Sequence, residues 1–262
     1  MMDLDLDGRI AIVTGASRGI GLAITGALVA EGVHVIAGAR RPSTALDALV
    51  DAGGVEFVAV DLSDAGSADR LLEPARRRGG VDVLINNVGA ATPRLNGFLA
   101  VTDEAWVSSL TLNLLAAVRM TRAVLPTMLA AGKGSIVSTG SVNAFLPDPA
   151  VIDYSAAKAA LTNFSKALSK EVGPRGIRVN TVSPGPVETD LWLGASGVAT
   201  TIAEATGVDP AAIASRAAAD SVTGRFTHPQ EVADLVVFLA SDRAANITGA
   251  DVTVDGGLIT TL

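Results

Sequence analysis

The chain contains no cysteine, and this absence excludes several kinds of chemistry. Without thiols it can form no disulfide framework, thiolate zinc site, iron–sulfur cluster or cysteine nucleophile. This composition is compatible with a reducing, cytoplasmic environment. The two histidines are too few and too far apart to suggest a ligand set, so we predict no metal site. We expect His34 to pack within a strand and His228 to stand at a helix start.

Basic side chains are also scarce. The 20 Lys and Arg residues against 27 Asp and Glu residues give a formal net charge of -7. This charge argues against nucleic acid or an anionic membrane as a partner. Residues 1–9 are acidic and lack the basic and apolar regions of a signal peptide. No apolar run approaches the roughly 20 residues needed to span a bilayer, so we expect a cytoplasmic protein.

The 262 residues, 49% of them hydrophobic, are organised as short β-branched runs that alternate with longer helical stretches. This rhythm is typical of βαβ units. It predicts an α/β protein: a single-domain, doubly wound Rossmann-type fold over 1–262, with an about seven-stranded parallel sheet flanked by helices on both faces. The predicted strands are Arg9–Thr14, Val33–Ala39, Val55–Val60, Val81–Asn86, Gly134–Thr139, Ile177–Val182 and Ala250–Val254.

Helical patterns fill the spaces between these strands. We expect Pro126 to bend or shorten the second of two helices in the long stretch Asp103–Ala131. One connection, Glu188–Thr223, is longer than the others, and its length predicts a substrate lid at about 188–223. The remaining predicted helices are Gly19–Glu31, Ser43–Ala52, Ala65–Arg78, Asp153–Val172 and Pro229–Ser241.

A glycine cluster follows the first strand directly. The segment Thr14-Gly15-Ala16-Ser17-Arg18-Gly19-Ile20-Gly21 leads into a helix. Glycines let backbone N–H groups approach a pyrophosphate, and the helix N-terminus adds a partial positive charge. The Gly-x-x-x-Gly-x-Gly spacing differs from Gly-x-Gly-x-x-Gly. Its position in the first βα turn predicts a dinucleotide site, although an ordinary tight turn is the alternative.

The second strand ends in Gly38-Ala39-Arg40-Arg41, without the carboxylate that would bind the ribose hydroxyls of NAD. Arg40, with Arg18 from the glycine loop, favours the extra phosphate of NADP. The alternative is that these arginines lie on a solvent-exposed turn and bind no phosphate. NAD therefore stays possible.

Two further strand ends carry polar side chains. Asp61 could accept a hydrogen bond from the adenine amino group or could cap the following helix together with Ser63. The segment Asn86-Asn87-Val88-Gly89 can lock the sheet edge and let a cofactor pass, although alone it could be an ordinary turn.

The strongest chemical signal comes after the fifth strand. Tyr154 follows Ser141 by thirteen residues, and Lys158 stands one helical turn later. Tyr154 and Lys158 therefore share a helix face. A phenol has a reference pKa near 10, and a nearby ammonium lowers that pKa. The pair predicts a proton donor or acceptor, and Tyr154 is the only tyrosine in the chain.

Together, and in the order in which they occur along the chain, the motifs resemble those of the short-chain dehydrogenase/reductase family. The resemblance extends over essentially the whole chain. The branch of similar form contains 3-oxoacyl carrier-protein reductases and bacterial carbonyl reductases. One departure is Val88, where the family usually has alanine. The motifs that carry the resemblance are Thr14-Gly15-x-x-x-Gly19-x-Gly21, Asn86-Asn87-Val88-Gly89, Ser141, Tyr154-x-x-x-Lys158, Pro184-Gly185-x-x-x-Thr189, Ile247-Thr248-Gly249 and Val254-Asp255-Gly256-Gly257.

The resemblance implies a role for each matching residue. Tyr154 would be the general acid in reduction, and Ser141 would bind the substrate carbonyl. Lys158 would hold the nicotinamide ribose, and Asn113 would hold a water in the proton relay. The cofactor-binding residues would be Gly15, Ser17, Arg18, Gly19, Ile20, Gly21, Arg40, Asp61, Leu62, Asn87, Gly89, Tyr154, Lys158, Pro184, Gly185, Val187 and Thr189.

These observations lead to one functional hypothesis and two alternatives. The first is an NADPH-dependent carbonyl reductase of a ketone or 3-oxoacyl group, reversible as an alcohol dehydrogenase. The alternatives are an NAD-dependent alcohol dehydrogenase and a non-catalytic nucleotide-binding regulator. A carrier-protein partner would need basic residues beside the site. The few candidates, Lys133, Arg175 and Arg94, favour a free small molecule or an acyl thioester.

Two further expectations concern the surface. Apolar residues of the long connection and near Phe145 could form a pocket wall or simply core. The resemblance implies a homo-oligomer, with a tetramer favoured, formed through paired long helices and the C-terminal strand. The candidate wall residues are Leu191, Trp192, Leu193, Val198, Ile202, Phe145 and Leu146.

Overall fold

A computed structural model describes residues 3–261 of the chain. Seven strands form one parallel sheet in the order β3-β2-β1-β4-β5-β6-β7. The predicted fold class is confirmed. The strands are β1 (Ile10–Thr14), β2 (His34–Ala39), β3 (Val55–Ala59), β4 (Val83–Asn86), β5 (Gly134–Thr139), β6 (Ile177–Pro184) and β7 (Asp251–Val254).

Helices cover both faces of this sheet, so the strands face two separate apolar cores. Along β1, Ala11 and Val13 enter the core shared with α1, α2 and α10, whereas Ile12 enters the core shared with α3, α5 and α6. Successive strand residues point to opposite faces, which explains why the strands lack polar alternation. The helices are α1 (Gly19–Ala30), α2 (Thr44–Asp51), α3 (Ser67–Arg77), α4 (Asp103–Leu110), α5 (Ala116–Ala131), α6 (Ile152–Val172), α7 (Asp190–Leu193), α8 (Val198–Thr206), α9 (Pro210–Ala219) and α10 (Pro229–Ala240).

The long helical stretch before β5 differs from the sequence expectation. It changes register at a π-helical turn, Thr111–Leu115, and α5 then continues through Pro126 to Ala131. The predicted shortening at Pro126 is therefore wrong. A helical proline leaves the carbonyl four residues earlier unpaired. Here both Pro126 and Arg122 are exposed, so water can satisfy that carbonyl.

The same stretch, Asp103–Ala131, is long and apolar enough by length and composition to cross a membrane, with a mean hydropathy of 1.4. This finding differs from the expectation that no apolar run approaches the length needed to span a bilayer. In the fold, Met120, Val124 and Met128 on one side of α5 are fully buried in the core beneath the sheet. These apolar side chains of the stretch therefore pack in the protein core.

The long connection after β6 folds into the three short helices α7, α8 and α9. The backbone anchors both of its ends. The N–H of Glu188 donates to the carbonyl of Thr227 at 2.9 Å, and the N–H of Thr223 donates to the carbonyl of Gly256 at 3.0 Å. That this segment acts as a lid stays a prediction.

Candidate active site

A cleft of about 1190 Å³ lies at the carboxyl ends of the strands. It opens where the strand order reverses between β1 and β4, the position at which open α/β sheets bind ligands. All predicted catalytic and cofactor-binding residues line this cleft, with the exception of Asn113. Residues far apart in sequence are therefore brought together as expected. Of the candidate wall residues, Phe145 and Leu193 do not line the cleft.

The glycine loop fits the pyrophosphate of a dinucleotide. Gly15 and Gly19 adopt φ values of +68° and +53°, which disfavour side chains. A Cβ on Gly21 would lie 2.2 Å from the carbonyl oxygen of Gly15. No side chain within residues 3–261 caps the start of α1 at Arg18, and its first turn carries no acidic residue. The helix N-terminus therefore offers its N–H groups and partial positive charge to an anion.

Asn87 braces this loop from the neighbouring strand. Its Nδ2 donates to the carbonyls of Thr14 at 3.0 Å and Gly15 at 3.3 Å. In return, the Thr14 hydroxyl oxygen accepts from the backbone N–H groups of Asn87 at 2.9 Å and Val88 at 3.1 Å. Because its amide is engaged with the protein, the Asn87 side chain fixes the shape of the cleft floor. This bracing agrees with the prediction that the segment locks the sheet edge, and the predicted cofactor contact of Asn87 stays a prediction.

Arginines and one carboxylate form the nucleotide end of the cleft. Arg40 lies at the end of β2, and Arg18 Nη1 lies 3.9 Å from Asp190 Oδ2 in an exposed pair. Asp61 Oδ1 accepts from the Ser63 hydroxyl at 2.7 Å and from its N–H at 2.9 Å. These hydrogen bonds lower the pKa of Asp61, and the bond from the Ser63 hydroxyl has the larger effect. The positive charge of Arg40 lowers the pKa further. Asp61 therefore closes a turn with Ser63. The predicted helix cap is wrong, because α3 begins after Gly66 with no side-chain cap from the described part of the chain. The predicted contact with adenine stays a prediction.

Lys158 occupies the chemical end of the cleft. It lies on α6, is 3% exposed, and its Nζ donates to the carbonyl of Thr139 at 2.7 Å. Its Nζ also lies 5.6 Å from the centroid of the Tyr154 ring. Burial lowers the pKa of Lys158 to about 8. An ammonium one helical turn from the phenol is thus present at neutral pH.

Ser141 and Tyr154 face the same space. The Ser141 oxygen accepts from the N–H of Asn143 at 3.2 Å, which leaves its own proton free to donate. Burial raises the pKa of Tyr154, and the Ser141 hydroxyl acts in the opposite direction. The sequence led us to expect a lowered pKa. The net direction is upward because the loss of water around the phenolate outweighs its polar neighbours.

Asn113 lies behind the cleft wall, within the π-helical turn. Its Oδ1 accepts from the N–H of Ala90 at 3.0 Å, and its Nδ2 donates to the carbonyl of Ala90 at 2.9 Å and of Ser109 at 3.1 Å. A Cβ on Gly89 would lie 2.9 Å from Asn113 Oδ1 and 3.4 Å from Lys158 Nζ. Asn113 therefore braces the loop beside Lys158. Its predicted role in holding a water stays a prediction.

An ion pair that the sequence did not predict involves Asp153, the residue before Tyr154. Arg94 Nη2 lies 2.5 Å from Asp153 Oδ2, and Arg94 Nε lies 3.2 Å from Asp153 Oδ1. The side chains are 21% and 2% exposed. The sequence offered Arg94 as a basic residue for an acidic partner, but its guanidinium is engaged here. A separation of 59 residues gave no local signal of this pairing.

The two histidines occupy structural positions. His34 begins β2, and burial lowers its pKa. His228 precedes α10, where its N–H donates to Glu231 at 2.7 Å, and its Nδ1 lies 2.9 Å from Glu188 Oε2. Both agree with the expected strand and helix-start positions. Within residues 3–261, no group of three or more His, Cys, Asp or Glu residues could hold a metal ion.

The chain is similar to known proteins over nearly its whole length. A family model described as "Enoyl-(Acyl carrier protein) reductase" matches residues 15–259. The chain is 38% identical over 258 residues to the 3-oxoacyl-[acyl-carrier-protein] reductase FabG of Escherichia coli (strain K12), covering 97% of this chain and 99% of that protein. It is 37% identical over 266 residues to D-threitol dehydrogenase of Mycolicibacterium smegmatis, covering 97% and 94%.

A solved structure is similar over the full length. The L-sorbose reductase from Gluconobacter frateurii, complexed with NADPH and L-sorbose, has a TM-score of 0.91 and 35% sequence identity, covering 100% of both chains. These relatives, the sheet order and the cleft agree with one another. The chain therefore belongs to the short-chain dehydrogenase/reductase family of oxidoreductases.

Proposed function

We propose that the protein is an NADPH-dependent reductase of ketones that also oxidises secondary alcohols when the cofactor ratio favours that direction. One observation carries this proposal. The cleft that holds Ser141, Tyr154 and Lys158 is continuous with the uncapped N-terminus of α1 and with Arg40. A single cavity can therefore hold a dinucleotide and a carbonyl substrate side by side.

Each polar side chain in the cleft would have a separate role in the reduction. Ser141 has a free hydroxyl proton to donate to the carbonyl oxygen, and Tyr154 supplies the proton that completes the alcohol. Because the pKa of Tyr154 is raised, its phenol is protonated at neutral pH, as a proton donor requires. Lys158 would hold the ribose and place a positive charge beside the phenol. When bound, the nicotinamide supplies the hydride.

The arginines support NADP as the cofactor. Arg40 at the end of β2 and Arg18 in the glycine loop both line the cleft, where a phosphate could receive charge-assisted hydrogen bonds from them. The sorbose reductase of similar structure is complexed with NADPH. The second candidate is an NAD-dependent alcohol dehydrogenase. It would require that neither guanidinium group binds the extra phosphate of NADP.

The charges around the cleft favour a free small ketone as the substrate. Lys133 and Arg175 precede β5 and β6 and therefore lie at the amino ends of the strands, away from the cleft. Arg94 is paired with Asp153. The exposed cleft residues Asp148 and Asp220 are acidic and would repel an acidic carrier protein. A carrier-bound acyl group is therefore the less favoured substrate, and a free acyl thioester stays an alternative to the ketone.

We also propose a cytoplasmic homotetramer. Exposed apolar and small side chains lie on the long helices, among them Val107 and Leu115 before α5 and Ala156 and Ala159 on α6. Such surfaces are suited to helix pairing between subunits. Sedimentation analysis would measure the subunit number, and a monomer at micromolar concentration would contradict this assembly.

The experiment that tests the function is a panel of carbonyl compounds assayed by loss of NADPH absorbance, with the Tyr154→Phe variant beside it. Removal of the phenolic hydroxyl should lower kcat by about 10²- to 10⁴-fold, the usual contribution of a general acid. Ser165→Ala, which removes a hydroxyl from the same helix outside the cleft, is the matched control.

Two results would contradict the proposal. Full activity in Tyr154→Phe would exclude the phenol as the proton donor. NADPH binding without turnover of any carbonyl or alcohol would instead support the alternative hypothesis that the protein is a non-catalytic nucleotide-binding regulator.

A further inference from the structure

We propose that Arg94 and Asp153 form a positioning pair that sets the place and the ionisation of Tyr154, an inference that rests on the proposed function. Asp153 directly precedes Tyr154 in the first turn of α6. Its carboxylate receives the Arg94 guanidinium through two parallel contacts, of 2.5 Å and 3.2 Å. A bidentate contact fixes orientation as well as distance.

Asp153 is a buried anion that Arg94 keeps ionised. Burial acts to raise the pKa of Asp153, but the hydrogen bonds and charge of Arg94 outweigh it, and the pKa is lowered overall. The backbone N–H groups of Asp153 and Tyr154 act in the same direction. Without Arg94, an uncompensated carboxylate would be buried beside Tyr154, a costly arrangement.

The pair also connects two segments of the cleft wall. The backbone N–H of Arg94 donates to the carbonyl of Ala150 at 2.6 Å, in the turn that leads into α6. The loop that carries Arg94 begins at Gly89 and Ala90, beside Lys158 and Asn113. The guanidinium therefore ties this loop to the first turn of α6.

Arg94 acts through position because it is absent from the residues that line the cleft. The titratable groups on the elements around Tyr154 are Lys158 and Asp153 on its own helix, Arg94 from the facing loop and Asp148 from the preceding turn. Loss of the Arg94 charge alone would leave an unpaired buried carboxylate on the residue that precedes Tyr154. That charge should disfavour the phenolate.

The test compares Arg94→Gln, Asp153→Asn and the double variant with the wild-type protein. In Arg94→Gln we expect kcat to fall by about 10- to 100-fold, the scale of a misplaced reacting group, with the Kd for NADPH unchanged within about twofold. The double variant should be less impaired than Arg94→Gln, because it leaves no unpaired buried charge. Arg77→Gln, which breaks an exposed pair with Glu56, is the matched control.

A second measurement does not depend on turnover. Tyr154 is the only tyrosine, so the phenolate absorbance band of the folded protein reports on this residue alone. Titration of Arg94→Gln should show the phenol ionising at higher pH than in the wild type. If the wild type reduces no carbonyl, the proposed function fails, but this titration still tests the pair.

The proposal is overturned if folded Arg94→Gln retains the wild-type kcat, pH profile and phenolate titration, even with a lower melting temperature. The pair would then be only structural. If Arg94→Gln does not fold, Arg94→Lys takes its place, because lysine keeps the charge but lacks the planar fork. An unchanged kcat and titration in Arg94→Lys, together with no defect in Asp153→Asn, would overturn it equally.

Discussion

The replacement Gly21→Ala tests the glycine loop most directly. The added Cβ would lie 2.2 Å from the Gly15 carbonyl oxygen and 2.5 Å from Asn87 Nδ2. Ordinary van der Waals contact begins at 3.4 Å, so the first contact is compressed by about 1.2 Å. Neither neighbour can move easily, because Gly15 is backbone and its N–H donates to Gly38, while Asn87 is held by Thr14.

The magnitude follows from overpacking. Such insertions typically cost about 1–3 kcal/mol, and the loop must shift to relieve them. At 1.4 kcal/mol per factor of ten, the same cost borne at the phosphate site weakens NADPH binding by roughly 5- to 150-fold. We expect a lower melting temperature together with a higher Kd for NADPH, measured by thermal denaturation and by quenching of nucleotide fluorescence.

Gly26→Ala provides the matched control. It makes the same chemical change on the same helix, but a Cβ at Gly26 has nothing within 4 Å. Alanine is favoured over glycine inside a helix by roughly 0.5–1 kcal/mol, so this variant should be as stable as the wild type or more stable. If Gly21→Ala bound NADPH like Gly26→Ala and melted no lower, the loop would not approach the cofactor as argued.

Two further variants test the charges of the cleft. Arg40→Asp should reduce the preference for NADPH over NADH by about 10- to 100-fold, the scale of a lost charge-assisted hydrogen bond, and an unchanged ratio of kcat/KM values would refute the phosphate assignment. Lys158→Met tests linkage. The folded pKa of Lys158 is about 8 against 10.5 in the unfolded chain, so the unfolded state binds more protons between these values. Wild-type stability should therefore rise relative to Lys158→Met as pH increases from 8 to 10.5, by at most about 3 kcal/mol, measured by urea denaturation. A constant difference would contradict the lowered pKa.

The fold could be predicted because its signals are local. Uninterrupted apolar runs such as Ile10–Thr14 indicate strands covered on both faces, and glycines at Gly15 and Gly21 indicate a backbone turn with no room for side chains. The order of the motifs along the chain then places Ser141 and Tyr154 at one edge of the sheet.

The features that could not be predicted depend on distant atoms. Helical continuation through Pro126 requires an exposed face and a buried anchor at Met128, which only packing defines. The Arg94–Asp153 pair joins residues that no pattern relates. The raised pKa of Tyr154 reflects how much water the surroundings displace, whereas the sequence shows only the helical spacing to Lys158.

The segment from Asn87 to Arg94 links the two halves of the cleft. Asn87 holds the glycine loop, Ala90 is held by Asn113, and Arg94 holds the residue before Tyr154. Asn113 holds the middle of this segment at Ala90, so each end is anchored separately. The loss of Arg94 should therefore displace Tyr154 while the glycine loop and the binding of the cofactor stay unchanged.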